Sequence, residues 1–461
     1  MPVSSRTIFA EAELYLILES FNTFWSNAVS MVWGLPLVIT LTGAGLYFTI
    51  ATRFLPFRAW RHALEIISGK YDNPDDPGEI SHFQALSSAL SGTVGMGNIA
   101  GVAVAVAIGG PGAVFWMWIS GLVGMTTKFF TCSLACMYRK EDEDGVAQGG
   151  PMYFIELGLG KRFKFLAVMF AVCGMVGTLS LFQVNQLSSL LYKDWSLPPL
   201  LTGTVSMFVV AMVVLGGITR IGRTTARIVP SMCLIYFLAC MYIVCSNLSE
   251  VPALLMLIIK SGLGLQAAVG GAVGLTLKEV MTTGIQRAAF SNEAGIGTAP
   301  MAHGAAKTKE PVREGMVAMI GPFVDTHIIC TLTALVILIS GVSTEGGGIV
   351  MTAQAFELSM PGIGKIILTL VVVMFAISTM ISLSYYSVKC AQYLFGKRVG
   401  SHYVYVYLLT LPIAAVWSEA AVLNIVDTAY GLMAIPTITS TLILAPKVLA
   451  ALKDYTARMQ I

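Results

Sequence analysis

The sequence predicts an all-α polytopic membrane protein with about 11 transmembrane helices, arranged as a 5+5 inverted repeat after one extra N-terminal helix. Three observations predict it. Hydrophobic residues make up 56% of the 461 residues and charged residues only 11%, where a soluble surface needs roughly 25%. The charges cluster between apolar runs of roughly 18 to 25 residues, the length of a membrane-spanning helix. A Ser-x-x-x-Gly-x-Gly stretch recurs at an offset of 200 residues, in corresponding runs.

The first helix is expected near Trp33–Thr52, followed by Ser81–Gly109, Ala113–Tyr138, Phe163–Tyr192, Leu197–Gly217 and Ala226–Cys245. Val251–Gly264 is amphipathic and is expected on the surface or folded back. Leu275–Ala306, Gly315–Val342, Lys365–Phe395, Tyr403–Trp417 and Ala421–Val448 complete the set. Four parts follow: 1–80 (first helix and cytoplasmic linker), 81–247 (first repeat), 248–274 (extracellular amphipathic connection) and 275–461 (second repeat). With these spans, twenty of the 28 lysines and arginines fall on one face and five on the other, Lys128, Arg287 and Lys389 lying within spans. The basic face reads as cytoplasmic, which puts the N-terminus outside and the C-terminus inside.

Composition excludes other classes. A net charge of +3, dispersed, does not suit nucleic acid. Met1–Phe21 carries Glu11, Glu13 and Glu19 against Arg6 alone, unlike the basic start of a signal peptide. The eight cysteines fall in apolar runs with no His or acid to complete a metal set, and read as small buried hydrophobes. The five histidines are scattered, no acid pair faces one cavity, and an enzyme is not expected. Glu141-Asp-Glu-Asp144 reads as a solvated loop, and Lys128 as a lysine that snorkels to the interface.

Ten spans after the first helix divide into five and five, and an odd-numbered unit repeated in tandem enters from the opposite side. Ser91-Gly-Thr-Val-Gly95-Met-Gly97-Asn98 lies in the first span of unit one, and Ser291-Asn-Glu-Ala-Gly295-Ile-Gly297-Thr298 in the first span of unit two. Glycines and polar residues in mid-span disfavour continuous helix, so a discontinuous first helix is expected in each repeat. Glycines at close helix contacts would leave the same marks, but matched positions favour breaks. Amides freed at a half-helix N-terminus suit a carboxylate, and freed carbonyls and hydroxyls suit a hard cation. An amino acid with sodium satisfies both.

Gly109-Gly-Pro-Gly-Ala-Val-Phe-Trp-Met-Trp118-Ile-Ser-Gly-Leu-Val-Gly124 resembles the signature segment of the alanine or glycine:cation symporter family, the sodium:alanine/glycine symporters. Gly97–Gly101, Gly149–Tyr153, Phe290–Gly295 and Phe375–Thr379 are similar to further blocks of that family. The resemblance implies a leucine-transporter-type fold and sodium-driven uptake of small amino acids, usually alanine or glycine. Two positions depart from the family pattern. Leu383 stands where a pocket tryptophan is usual, and Met96 where a small polar residue is usual; both bear on pocket size.

Thr93, Gly95, Met96, Gly97 and Asn98 are therefore expected to line the first break, the carboxylate sitting on amides around Gly95–Gly97. Asn98 serves as helper or cap, or as an interhelical hydrogen bond. Phe290, Ser291 and Asn292 shape the second break. Glu293, an acid in mid-span, either neutralises the ammonium or a cation, or is structural, paired with Arg287 or accepting freed amides. Gln183 is a candidate substrate contact among the amides of its span, Asn185 and Gln186 included. In folds of the implied type, the eighth core helix and the first break share sodium, which gives Ser378 and Thr379 with carbonyls near Ser91 and Val94. Asp325 and His327, two apart on a helix, point apart and read as structural.

These readings converge on sodium-coupled symport of a small neutral amino acid by alternating access in a bacterial cell membrane, by a monomer. The alternatives are a proton-coupled transporter of a different small amino acid and a transporter-like sensor.

Overall fold

In hydrocarbon only helices and closed barrels satisfy their own backbone groups, and this chain takes the first solution. A computed structural model describes residues 5–142, 145–265, 276–343 and 347–460. Apart from one hairpin, Lys140–Glu141 paired antiparallel with Ala147–Gln148, the regular structure described is helical.

The principal helices are α1 (Ser5–Val32), α2 (Leu35–Ala51), α3 (His82–Thr93), α4 (Met96–Gly109), α5 (Gly112–Met137), α6 (Lys164–Gly177), α7 (Leu181–Trp195), α8 (Pro199–Val214) and α9 (Gly217–Ser246). They continue as α10 (Val251–Gly262), α11 (Leu277–Asn292), α12 (Ala299–His303), α13 (Pro311–Ala318), α14 (Thr331–Ser340), α15 (Gly348–Ser359), α16 (Gly364–Gly400), α17 (Tyr403–Ala415) and α18 (Glu419–Met459). Among the described residues seven stretches are long and apolar enough to cross a membrane, and Glu19–Val32 with Leu35–Ala51, bent by 44°, makes an eighth if taken as one span. The interrupted α11/α12 and the shorter apolar helices α8, α10 and α17 lie outside that set of eight.

Two interrupted spans occupy matching places. Each opens on a capping box, Ser81 with Gln84 before α3 and Thr276 with Glu279 before α11. α3/α4 breaks at Val94–Gly95, and α11/α12 breaks between Asn292 and Ala299, where Glu293, Gly295 and Gly297 have positive φ. α5 packs on α11, α12 and α13, while α6, α9 and α16 through α18 gather on the other side; α3 touches both groups.

Several expectations are corrected. The helix expected near Trp33–Thr52 is α2, and α1, which begins at Ser5, is an addition to the expected set; Glu11, Glu13 and Glu19 lower the hydropathy of its sequence. Trp33 then anchors the bend, its indole Nε1 donating to the Asp427 carbonyl at 2.9 Å. The expected Phe163–Tyr192 span is interrupted at Ser180, which takes the left-handed conformation and meets the Tyr407 hydroxyl at 2.6 Å. α9 starts at Gly217, so Arg220, Arg223 and Arg227 ride on helix. α15 was not expected; it is held by Ile349 N donating to Gln186 Oε1 and by Thr352 donating to the Ile99 carbonyl.

Lys128 does not snorkel. It is 2% exposed, and its Nζ lies 3.4 Å from where a Cβ on Gly321 would stand. The absent side chain at Gly321 makes that room inside the protein. Asp142 accepts from Val146 N and Gln148 Nε2 and pairs with Lys397 at 2.7 Å, so that part of the acidic run is tethered. Glu143 and Asp144 lie outside the described residues, as do 266–275, which hold Leu275 and the end of the 248–274 connection. α10 leans on α5 as a surface helix would, Trp116 donating to the Gly262 carbonyl.

Candidate functional site

At the first break the chain leaves α3 at Val94 and restarts as α4 at Met96. Asn98 Oδ1 accepts the Gly95 amide at 2.8 Å, and its Nδ2 donates to Asp325 Oδ1 at 2.7 Å and the Asp325 carbonyl at 3.1 Å. Asn98 thus combines the cap and the interhelical bond, with both ends of its side chain engaged. The Met96 and Gly97 amides, first in α4, have no acceptor among the described residues. They are the freed donors an anion needs. Thr93 bonds back to the Ala89 carbonyl.

At the second break Asn292 closes on itself and its neighbour. Its Oδ1 accepts the Ala294 amide at 2.9 Å and its Nδ2 donates to Thr326 Oγ1 at 2.9 Å. Glu293 does not pair with Arg287. Its carboxylate accepts from Thr298 Oγ1 at 2.5 Å and Tyr430 Oη at 3.3 Å, whereas Arg287 pairs with Asp427 and lies over the Phe290 ring. Phe290 in turn meets Phe182 edge-on at 5.1 Å and Tyr430 at 5.7 Å. A Cβ on Gly97 would stand 3.1 Å from Ser291 Cα and 3.4 Å from the Phe290 ring, so glycine lets the two breaks touch.

Asp325 joins them. Its Oδ1 takes Asn98 from the first break, and its Oδ2 takes Ser291 from the second at 2.9 Å and Thr326 at 2.9 Å. Residues 323–330 form a π-helix, Phe323–Cys330, from which Asp325 reaches the two breaks while His327 stacks on Phe323 at 5.7 Å. Asp325, Tyr430, Thr298, Phe182 and Tyr386 also border the breaks and were not among the residues expected there. The one available signal was the acid in mid-span.

α16 closes the first break from the side. Ser91 Oγ donates to the Ser378 carbonyl at 2.7 Å, and Ser378 Oγ donates to the Phe375 carbonyl at 3.0 Å. Thr379 Oγ1 is buried with no hydrogen-bond partner among the described residues, and a Cβ on Gly95 would lie 2.3 Å from it. Tyr386 Oη is likewise buried and unpartnered, 3.4 Å from a Cβ position on Gly92, with Leu383 at 3.8 Å from the same point. In α7, Asn185 binds the Ala414 and Trp417 carbonyls and Gln186 binds α15, so both act as interhelical ties. Gln183 is buried and hydrogen-bonds to nothing among the described residues.

All fifteen residues expected at the site are buried, from Ser91 at 0% to Gln183 and Phe290 at 6% exposed. Donors and acceptors at two interrupted helices, sealed inside a bundle of spans, define a multi-pass membrane transporter of the leucine-transporter type. A family model described as "Sodium:alanine symporter family" matches residues 18–461, and the chain belongs to that family. "Sodium/alanine symporter AgcS" of Methanococcus maripaludis is 38% identical over 449 residues, covering 94% of this chain and 97% of the relative. "Probable sodium/glutamine symporter GlnT" of Bacillus subtilis is 32% identical over 442 residues, covering 93% and 89%. A crystal structure of MhsT in complex with L-phenylalanine shares the fold, with a TM-score of 0.55 at 14% identity over 80% of this chain and 89% of that one. The chain is thus a transporter, not an enzyme, of a family that couples amino-acid transport to sodium.

Proposed function

We propose that this protein carries a small neutral amino acid, alanine or glycine, into the cell together with sodium by alternating access. The observation that carries this reading is the Thr379 hydroxyl, buried and unpartnered against Gly95, where the backbone leaves the helix. An oxygen without a partner in a protein interior is costly unless something binds it. Ser91, Val94, Ser378 and Thr379 offer only oxygen ligands, the donor type of a hard cation.

The amino acid lies between the breaks. Its carboxylate takes the free Met96 and Gly97 amides, with Thr93, Gly95 and Asn98 holding their geometry. Phe290, Ser291 and Asn292 wall the other side, and Glu293 and Gln183 serve the ammonium end. Met96 and Leu383 set the pocket size. Sodium and amino acid both favour the sealed state through their higher affinity for it. The chain works as a monomer, with 1–80 preceding repeats 81–247 and 275–461, 248–274 between them, and the N-terminus outside.

A second reading, proton in place of sodium, is supported by the buried carboxylates of Asp325 and Glu293 at the breaks. A binding screen of the purified protein against the neutral amino acids, with and without sodium, separates the two. Sodium-dependent binding of alanine or glycine is expected; sodium-independent binding that follows pH would favour the second reading. In the same screen L383W is expected to narrow the range of amino acids bound.

A further inference from the structure

Three ionisable side chains outside the transport site meet at the basic end of the interrupted helices. His82 is the first residue of α3, His303 is the last of α12, and Glu314 lies in α13. All three are buried. The Glu314 carboxylate takes one imidazole on each oxygen: Oε1 faces His303 Nδ1 at 2.5 Å, and Oε2 faces His82 Nδ1. The histidines that looked scattered in the sequence therefore converge in part.

A seam of fixed hydrogen bonds surrounds them. Glu79 N and Ile80 N donate to the Ala305 carbonyl, Lys307 N to that of Ile80, and Thr308 N to that of Pro77. The Arg139 guanidinium donates to the carbonyls of Pro77, Ala306 and Thr308. The inner halves of both broken helices are thereby fastened to each other and to α13. The backbone bonds do not titrate, and an arginine stays charged. The His–Glu–His cluster is held by ionisable side chains instead.

Its proton count follows from its geometry. Each imidazole can donate one Nδ1–H to the carboxylate, which leaves the cluster with one negative charge. His82 Nε2 is then a buried lone pair without a partner. A proton taken from buffer onto that nitrogen makes the cluster neutral. A buried charge without compensation costs more than a buried N–H without an acceptor, so the closed seam and the bound proton favour one another. The other ionisable groups close enough to act on the cluster are Asp72 and Arg313 on the His82 side and Cys132 and Cys136 of α5 on the Glu314 side. Cys136 Sγ also donates to the His303 carbonyl at 3.4 Å.

We propose that His82, Glu314 and His303 form a proton-binding lock that holds the basic ends of both interrupted helices closed, and that loss of its proton releases α3 from α12 and α13. Glu314 is a positioning residue, touching neither of the two breaks' ligand-facing groups. Only the meaning of the opening, substrate exit at the basic face, rests on the transport reading above.

The test uses the full chain in liposomes, free of sodium and amino acids, so its outcome is separate from that of any uptake or binding assay. Spin labels replace the exposed Phe83 and Lys309 in a cysteine-free background, and their distance distribution is recorded at pH 6 and pH 9. The labelled cysteine-free parent, with His82, Glu314 and His303 intact, is expected to give one short distance at pH 6 and an added longer population at pH 9. E314Q has no charge to balance and is expected to give the same distribution at both values. Should E314Q not fold, H82Q removes the proton's nitrogen and is expected to remove the shift. A distribution independent of pH in the parent, or a shift kept in these variants, overturns the lock.

Discussion

At the residue scale, Thr379 and Gly95 carry most of the argument. Glycine at 95 is required by approach: a Cβ there would stand 2.3 Å from Thr379 Oγ1. G95A is therefore expected to abolish uptake and lower thermal stability, and T379A in the same chain is expected to recover much of that stability; melting curves of the purified variants check this. T379V keeps the side-chain shape and removes one oxygen from a cation. Losing a ligand to a charge costs about 1.5–3 kcal/mol, which raises the sodium needed for half-maximal uptake roughly 10- to 150-fold. The amino-acid requirement at saturating sodium should change far less. The residues around this pair were legible because glycine, serine and threonine in mid-span have few other uses. Asp325 was expected to be structural, but its partners Asn98 and Ser291 were not legible, because nothing in Phe323–Cys330 announces a π-helix or which spans it meets. Tyr386, Tyr430 and Phe182 carried no signal, since their placement depends on which spans pack together.

At the element scale, hydropathy located most spans and the matched glycines located both interruptions. It passed over α1, where acids dilute an otherwise helical stretch, and α15, which is too short to register as a span. The turn at Ser180 was invisible for a different reason: a hydroxyl pair with Tyr407 stabilises it from another helix. The join between α11 and α18 is the buried Arg287–Asp427 pair, with Gln286 adding a bond to Asp427 Oδ2 at 2.9 Å. R287A strands a buried charge and is expected to destabilise by about 3–5 kcal/mol. R287A/D427N, which removes the stranded charge, should melt higher than R287A. The helix Trp60–Ile67 is tied to α18 through His62 Nε2 and Tyr455 Oη at 2.7 Å. Burial holds the His62 imidazole below its ordinary range. A histidine with a lowered folded value stabilises above its unfolded value, about 6.5, and loses that contribution as pH falls through the folded one. Acidification from pH 7 to pH 5 should therefore lower the melting temperature more in the wild type than in H62Q.

At the scale of the whole molecule, α5, α11, α12 and α13 form one group and α6, α9 and α16 through α18 another, with α3 packed against both. Both groups contribute buried atoms at the breaks, and on the transport reading opening the site moves one group against the other. Such a device transports only if its cargo changes which arrangement is favoured. The most direct measurement is uptake of alanine and glycine into liposomes holding the purified protein, under an imposed inward sodium gradient, an inward proton gradient, or neither. Accumulation above the outside concentration with the sodium gradient alone, saturable in amino acid and lost in G95A, is the predicted result. Equal uptake without sodium, or full replacement of the sodium gradient by a proton gradient, would contradict it.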